Sequence, residues 1–222
     1  MKISIVIAGW NEEKNIGQVV DNIKQHFSEA EIIVANDGST DRTEEIAKEH
    51  GALVISHKIN RGQGAALQTG NSLAIKHGAD IIVHFDGDNQ FLVKEIDEVI
   101  EPIIKNEADI VFGSRFLGKD SSMPKAKRKI IMPLARLFNK IFFGIKLSDP
   151  QCGFRAMTKE TAQKIIIKND RMAHCTEIMA KAHKYKLKIK EVPITVIYHE
   201  FGQSMSGGFS IIKDFIYKKL SN

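Results

Sequence analysis

Cysteine is scarce in this sequence, with only Cys152 and Cys175 in 222 residues. Two isolated thiols make no disulfide framework and show no structural-metal spacing, so a reducing cytosol is the expected compartment. No apolar run approaches the roughly 20 residues that a membrane-spanning helix needs, so no transmembrane segment is expected. Residues 3–8 are apolar, but Asn11-Glu12-Glu13 follows at once. That fits a first core strand; a signal peptide needs a longer apolar stretch and a small-residue cleavage site. Internal repeats and low-complexity tracts are absent, which argues against a solenoid or a disordered linker. The basic regions lack interleaved aromatics of the kind that stack on bases, so nucleic acid is not an expected partner.

What is present suits a soluble globular protein: 43% hydrophobic and 27% charged residues in a chain long enough for a full core. The net charge of +5 is unevenly spread. Residues 115–146 hold nine Lys/Arg and one Asp, a net +8, and residues 181–222 hold eight Lys/Arg and three acids, a net +5. The remainder therefore carries −8. An acidic first part suited to a cation thus precedes a basic second part suited to anions, although a solvated lysine-rich face is the commoner meaning of such runs.

Periodicity predicts strands over residues 2–8, 31–35, 52–56, 80–85 and 109–113. Helices are predicted over 12–27, about 42–50, 64–77 and 92–105, the first with Ile16, Val19, Val20, Ile23 and Phe27 on one face. Five alternations of strand and helix argue a mainly parallel α/β sheet with right-handed crossovers. Beyond Gly113 the pattern changes. Residues 126–143 read as a helix with Pro133 inside it, and 159–168 and 175–185 read as helices. Residues 187–198 read as extended, with Pro193 implying an edge strand or a bulge. The last helix, 209–220, is basic and amphipathic; it suits either an anionic membrane surface or packing on the sheet.

The densest cluster of chemistry is Phe85-Asp86-Gly87-Asp88-Asn89-Gln90, directly after the apolar run 81–84. Ligands of open α/β sheets gather at the carboxyl ends of strands. Asp86 and Asp88 suit one metal ligand each, or a metal ligand and a ribose contact, with Gln90 as a neutral oxygen nearby. A plain Asp-Gly surface turn is the alternative. Trp10, the only tryptophan, lies at a strand-to-helix turn, placed either to stack on a base or to cover the sheet edge. In Asn36-Asp37-Gly38-Ser39-Thr40-Asp41, Asp41 and Glu44 form a plausible capping pair. That leaves Asp37 for a base or ribose, or for an Asx-turn. Asn60-Arg61-Gly62-Gln63-Gly64-Ala65 lacks the Gly-Lys-Ser/Thr ending of a P-loop; its small residues suit close helix packing or a backbone approach to a ligand.

Seven motifs in order resemble the family-two glycosyltransferases of GT-A fold, and within them the dolichyl- or polyprenyl-phosphate sugar transferases. They are Asn11-Glu12-Glu13, Asn36 to Asp41, Asn60 to Ala65, Asp86 to Gln90, Gly113-Ser114-Arg115, Asp149 to Arg155, and Glu191-Val192-Pro193-Ile194. The resemblance implies a single domain of Rossmann-like, mainly parallel sheet flanked by helices. Residues 1–113 would bind the nucleotide sugar and 114–222 the acceptor. It implies that Ala8, Trp10, Glu12, Ala35, Asp37, Asp86, Gly87 and Asp88 line the donor site. Asp88 and Gln90 would hold Mg²⁺ or Mn²⁺ on the diphosphate. Arg115 and Arg128 would bind the lipid phosphate of a polyprenyl or dolichyl phosphate acceptor. The protein would be cytoplasmic, or peripheral on the cytoplasmic membrane face.

The chain departs from the family at Ala8 and Trp10, where Pro and Tyr are usual, at Asn36, where Asp is usual, and near Met132, where a serine is usual. His199 and Met205 stand where the family's Arg-x-x-Gly-x-Ser-Lys element carries cations.

The implied reaction is inverting sugar transfer from GDP-mannose or a UDP-sugar. A divalent ion stabilises the leaving diphosphate as a Lewis acid. A phosphate nucleophile is already an anion and needs no strong base; a hydroxyl acceptor does, and Asp149 is the candidate. His174 and Glu177 lie one helical turn apart, as an acid–base pair or a packed surface pair. A nucleotidyltransferase lacks support, since no glycine- and basic-rich loop follows the first strand. A binding module without turnover stays open, favoured by the missing cations at positions 199 and 205.

Overall fold

The computed structural model describes residues 1–117, 147–171 and 173–197. Arg128, Met132, Pro133, the helix expected over 126–143, the element from His199 to Met205 and the terminal amphipathic helix lie outside the described residues.

The apolar runs form strands, four of them buried on both faces, while the edge strand over residues 53–56 has no buried residue. β1 (Ile3–Gly9), β2 (Glu31–Asn36), β3 (Leu53–Ser56), β4 (Ile81–Asp86) and β5 (Ile110–Ser114) alternate with α1 (Ile16–His26), α2 (Thr43–Glu49), α3 (Gln63–Lys76) and α4 (Ile96–Ile104). Then come β6 (Arg155–Thr158), α5 (Lys159–Lys164), α6 (His174–Lys184) and β7 (Ile189–Pro193). One seven-stranded sheet has the order β3-β2-β1-β4-β6-β5-β7. β6 runs antiparallel between β4 and β5, and the other pairings are parallel. Pro193 sits on the edge strand β7, where its missing N–H costs no ladder bond.

Two apolar layers cover the sheet. Ile16, Val19, Val20 and Ile23 of α1 and Ile96, Val99, Ile100 and Ile103 of α4 pack on one face with Ile5, Ile7, Val83 and Phe85. Leu67 and Ala74 of α3 and Ile178, Met179 and Ala182 of α6 cover the other, against Val6, Ile82 and Met157. Among the described residues no helix is long and apolar enough to cross a membrane.

Three local expectations need correction. α1 starts at Ile16, four residues later than the apolar period suggested, because residues 12–15 make the site-lining turn. The Asp41–Glu44 capping pair does not form. Asp41 instead accepts from the Glu13 and Thr43 N–H groups at 3.1 and 3.0 Å, while Glu44 turns to Lys48, Ser56 and Asn36. Helix 159–168 stops at Lys164, and the chain from Ile165 is drawn out as a strap.

That strap explains the glycine-rich stretch. Gly64 N–H donates to the Asp170 carbonyl at 2.7 Å. A Cβ on Gly64 would collide with the Asn169 carbonyl oxygen and come within 2.9 Å of the His174 Cβ. The small residues thus serve close packing, and the start of α3 is capped by backbone. Gly64→Ala is expected to cost about 3 kcal/mol, since a backbone oxygen cannot swing aside. The unfolding midpoint should fall by about 10 °C in a thermal melt.

Candidate active site

Strand register assembles the first half of the site. Ala8 of β1 stands beside Ala35 of β2 on one side and Asp86 of β4 on the other. Ala35 is buried. Trp10, on the turn after β1, is 55% exposed. An indole left in water at a strand end is a ready stacking surface.

Asp37 is only 2% exposed and is heavily used by its own chain. One oxygen accepts from Arg61 N–H at 3.0 Å and lies 2.7 Å from His57 Nδ1; the other accepts from Gly62 N–H at 2.6 Å. His57 Nε2 in turn lies 2.8 Å from Thr69 Oγ1. Asp37 is thus the post around which residues 57–62 are wound. A carboxylate has about four lone-pair sites, which leaves room for one further donor. No feature of the sequence marked His57 for this part.

Glu12 is half-buried. Its N–H donates to Thr43 Oγ1 at 2.7 Å and its carboxylate accepts from Asn15 at 3.0 Å. Burial raises its pKa, and the nearby charges of Asp88 and Asp41 add to the rise. Asp86 is shifted further, to about 7, by burial first and Asp88 second. It accepts from Gln63 Nε2 at 3.1 Å, and a Cβ on Gly153 would stand 2.6 Å from its Oδ2. Asp88 closes an Asx-turn, accepting from Gln90 N–H at 3.1 Å, with Asn89 at a φ of 60°. Gly87 is packed between Ile7, Ile16 and Glu12. Asp88 therefore repels both Glu12 and Asp86, and Asp86 is linked through Gln63 and Gly62 to Asp37.

The raised pKa of Asp86, set by burial first and by Asp88 second, has a measurable consequence. An acid whose pKa rises from 3.8 to about 7 on folding contributes its full stability below pH 4, and loses it as pH climbs through 7. The stability of Asp86→Asn minus that of the wild type should be near zero below pH 4, grow through the interval and level off above pH 7. Paired urea titrations across pH will read it.

The second half of the site is built on β5 and the turn before β6. Asp149 is 1% exposed and grips Arg115 side-on. Nε donates to Oδ2 at 2.6 Å and Nη2 to Oδ1 at 2.7 Å, and the Arg115 N–H adds a third bond at 3.2 Å. Both oxygens of Asp149, the proton acceptor expected from the sequence, are thus engaged by Arg115. Asp149 orients Arg115. Glu191 of β7 fixes this turn from beneath, accepting from the N–H groups of Ser148 and Asp149 and from Ser148 Oγ, at 2.7 to 3.2 Å. Its place in the last motif was the sequence signal for that duty.

His174 and Glu177 do not pair. His174 is buried against Cys175, while Glu177 accepts from the N–H groups of Lys168 and Asn169 and from Lys181. Glu177 thereby anchors the strap that caps α3.

Residues 4–166 match the profile of Glycosyl transferase family 2, well over half the chain. The chain belongs to that family. An uncharacterized protein of Methanocaldococcus jannaschii is 39% identical over 218 residues, 96% of this chain and 88% of that one. The UDP-N-acetylglucosamine--dolichyl-phosphate N-acetylglucosaminyltransferase of Methanococcus voltae is 34% identical over 235 residues, 96% and 92% of the two chains. In structure the chain resembles the glucosyl-3-phosphoglycerate synthase of Mycobacterium tuberculosis, solved with Mn²⁺, uridine diphosphate and phosphoglyceric acid. The TM-score is 0.73 at 21% identity, over 99% of this chain and 78% of that one. This likeness speaks for the fold. The mainly parallel sheet with helices on both faces is the GT-A architecture expected from the motifs.

Among the described residues no group of three or more His, Cys, Asp or Glu side chains is arranged to cage a metal. A glycosyltransferase site does not require one. Hard divalent ions are commonly held by one or two carboxylates together with substrate phosphates. The raised pKa values of Glu12 and Asp86 beside Asp88 mark a place where a cation would relieve existing repulsion, so these residues fit Mg²⁺ or Mn²⁺.

Proposed function

We propose that this family 2 glycosyltransferase moves a sugar, with inversion, from a nucleoside diphosphate to a polyprenyl or dolichyl phosphate. Residues 1–113 serve the donor and the rest of the chain the acceptor. Trp10, Glu12, Asp37 and Asp86, with Ala8, Ala35 and Gly87 lending room and backbone, receive the nucleotide. Asp88 and Gln90 would hold Mg²⁺ or Mn²⁺, which when bound supplies Lewis-acid stabilisation of the leaving diphosphate. Arg115, held in place by Asp149, receives the acceptor phosphate, with Arg128 as a second cation from the same basic stretch.

The observation that carries this reading is the Arg115–Asp149 pair. The candidate base is consumed in aiming a cation, which suits a nucleophile that is already an anion. A phosphate oxygen attacks the anomeric carbon without first losing a proton, and catalysis rests on placement and on charge stabilisation. The dolichyl-phosphate acceptor in the name of the Methanococcus voltae relative supports the same choice. The basic stretch over 115–146 also suits an anionic membrane surface, where such an acceptor resides.

The test is direct. Purified protein, Mn²⁺ and radiolabelled UDP- or GDP-sugars are incubated with a polyprenyl phosphate in detergent. Label should pass into the organic phase only when acceptor and metal are both present. Label appearing solely in a water-soluble glycoside would refute the lipid acceptor, and donor binding without any transfer would favour a binding module.

A further inference from the structure

Arg155 is fully buried, and a guanidinium cannot shed its charge. It opens β6, level with His84 of β4 and Phe112 of β5. Its Nε donates to the Gly153 carbonyl at 3.1 Å. Its Nη2 donates to the Cys152 carbonyl at 3.2 Å and to Cys175 Sγ at 3.4 Å. None of these partners is a carboxylate. A cation taken out of water this way is costly unless opposite charge lies close.

The nearest source is Cys175. Burial opposes ionisation of this thiol, but His174, whose Nε2 is 3.4 Å from the sulfur, and Arg155 together outweigh it. The pKa falls to about 6. Cys152 goes the other way: burial pushes its thiol up, and it remains neutral. His84 is held neutral by burial, then by Arg155 and His174. Among the described residues Asp86 also faces Arg155, whose charge favours its ionised form against burial. The carbonyls that receive the guanidinium belong to Cys152 and Gly153. Gly153 is the residue whose missing Cβ lets the Asp86 carboxylate lie against the chain.

We infer that Arg155 is a positioning residue for the donor end of the site: seated on Cys175, it holds the Cys152–Gly153 turn in place, and that turn is the surface on which Asp86 rests. The same turn starts at Asp149, so Arg155 also sets the spacing between the cation that awaits the acceptor and the carboxylates that await the donor. The inference rests on the proposed reading of those carboxylates.

Arg155→Lys supplies one charge but no planar fork, so it cannot reach both carbonyls and the sulfur. Donor KM and the Mn²⁺ concentration for half-maximal activity should rise roughly 10- to 100-fold, as when a ligand's supporting partner is lost. A merely structural role would lower the unfolding temperature but leave both constants of the folded fraction unchanged. Cys175→Ser, which keeps the guanidinium and its carbonyl bonds, guards against a variant that fails to fold. It removes the sulfur on which the guanidinium sits and should raise donor KM about threefold. Unchanged donor KM and Mn²⁺ dependence in the folded variants overturn the inference alone. A wild type without metal-dependent donor affinity overturns the reading of the site and the inference with it.

Discussion

Asp88→Ala and Asp88→Asn are both expected to be silent in Mn²⁺-dependent donor turnover, with losses of at least roughly 10²- to 10³-fold. The pair of substitutions separates two duties. Asparagine can still accept the Gln90 N–H bond that closes the Asx-turn, whereas alanine cannot. If the turn alone mattered, Asn would rescue. If the charge matters, Asn fails as Ala does. The stability readout moves the opposite way. Asp88 raises the pKa of both Asp86 and Glu12, so deleting its charge relieves the native state at neutral pH. An Asp88→Asn protein that melts higher than wild type while losing turnover is the expected signature. Chelation of the wild type should reproduce the loss of activity. Retained turnover in Asp88→Asn, measured as release of nucleoside diphosphate, would remove Asp88 from the proposed metal site.

The second large effect is at Asp149. Asp149→Ala breaks a buried, side-on ion pair and leaves Arg115 without its main counter-charge, a loss of about 3–5 kcal/mol. Asp149→Asn keeps the volume and some hydrogen bonding, and tests function more cleanly. Acceptor KM should rise by about tenfold, because Arg115 loses its fixed aim. Slow donor hydrolysis in the absence of acceptor should be unaffected. A catalytic base would behave differently: kcat would collapse at unchanged acceptor KM, and the acid limb of the pH profile would vanish. The two outcomes are distinguishable in one steady-state experiment. They also discriminate an anionic acceptor from a hydroxyl one, since only the latter needs its proton removed.

The two halves of the site were unequally readable. The half proposed for the donor is local. Ala8, Asp37, Asp86 and Asp88 each lie at or just past the end of an apolar run, and parallel strands must bring such ends to one edge. The capping pair at Asp41 and Glu44 misled because side-chain oxygens had nearer partners in three dimensions, Glu13 N–H for one and Ser56 for the other. The half proposed for the acceptor depends on partners far apart in the chain. Arg115 and Asp149 are 34 residues apart and Ser148 and Glu191 are 43 apart. No periodicity registers such pairs, and Asp149 therefore looked like an available base. Arg155 is the extreme case, an arginine in a short apolar strand whose burial nothing local foretells.

The amino-acid order by itself determined the alternating strands and helices, the edge of the sheet at which chemistry gathers, and the order of the family's motifs, because hydrophobic period and strand-end position are properties of neighbouring residues. Tertiary structure alone decided that β6 inserts antiparallel between β4 and β5, that Asp149 is spent on Arg115, and that Arg155 is buried against the Cys152 and Gly153 carbonyls. Those outcomes depend on which distant groups meet out of water, where a buried charge must find an opposite one or a carbonyl, and contacts of that kind exist only once the sheet has closed.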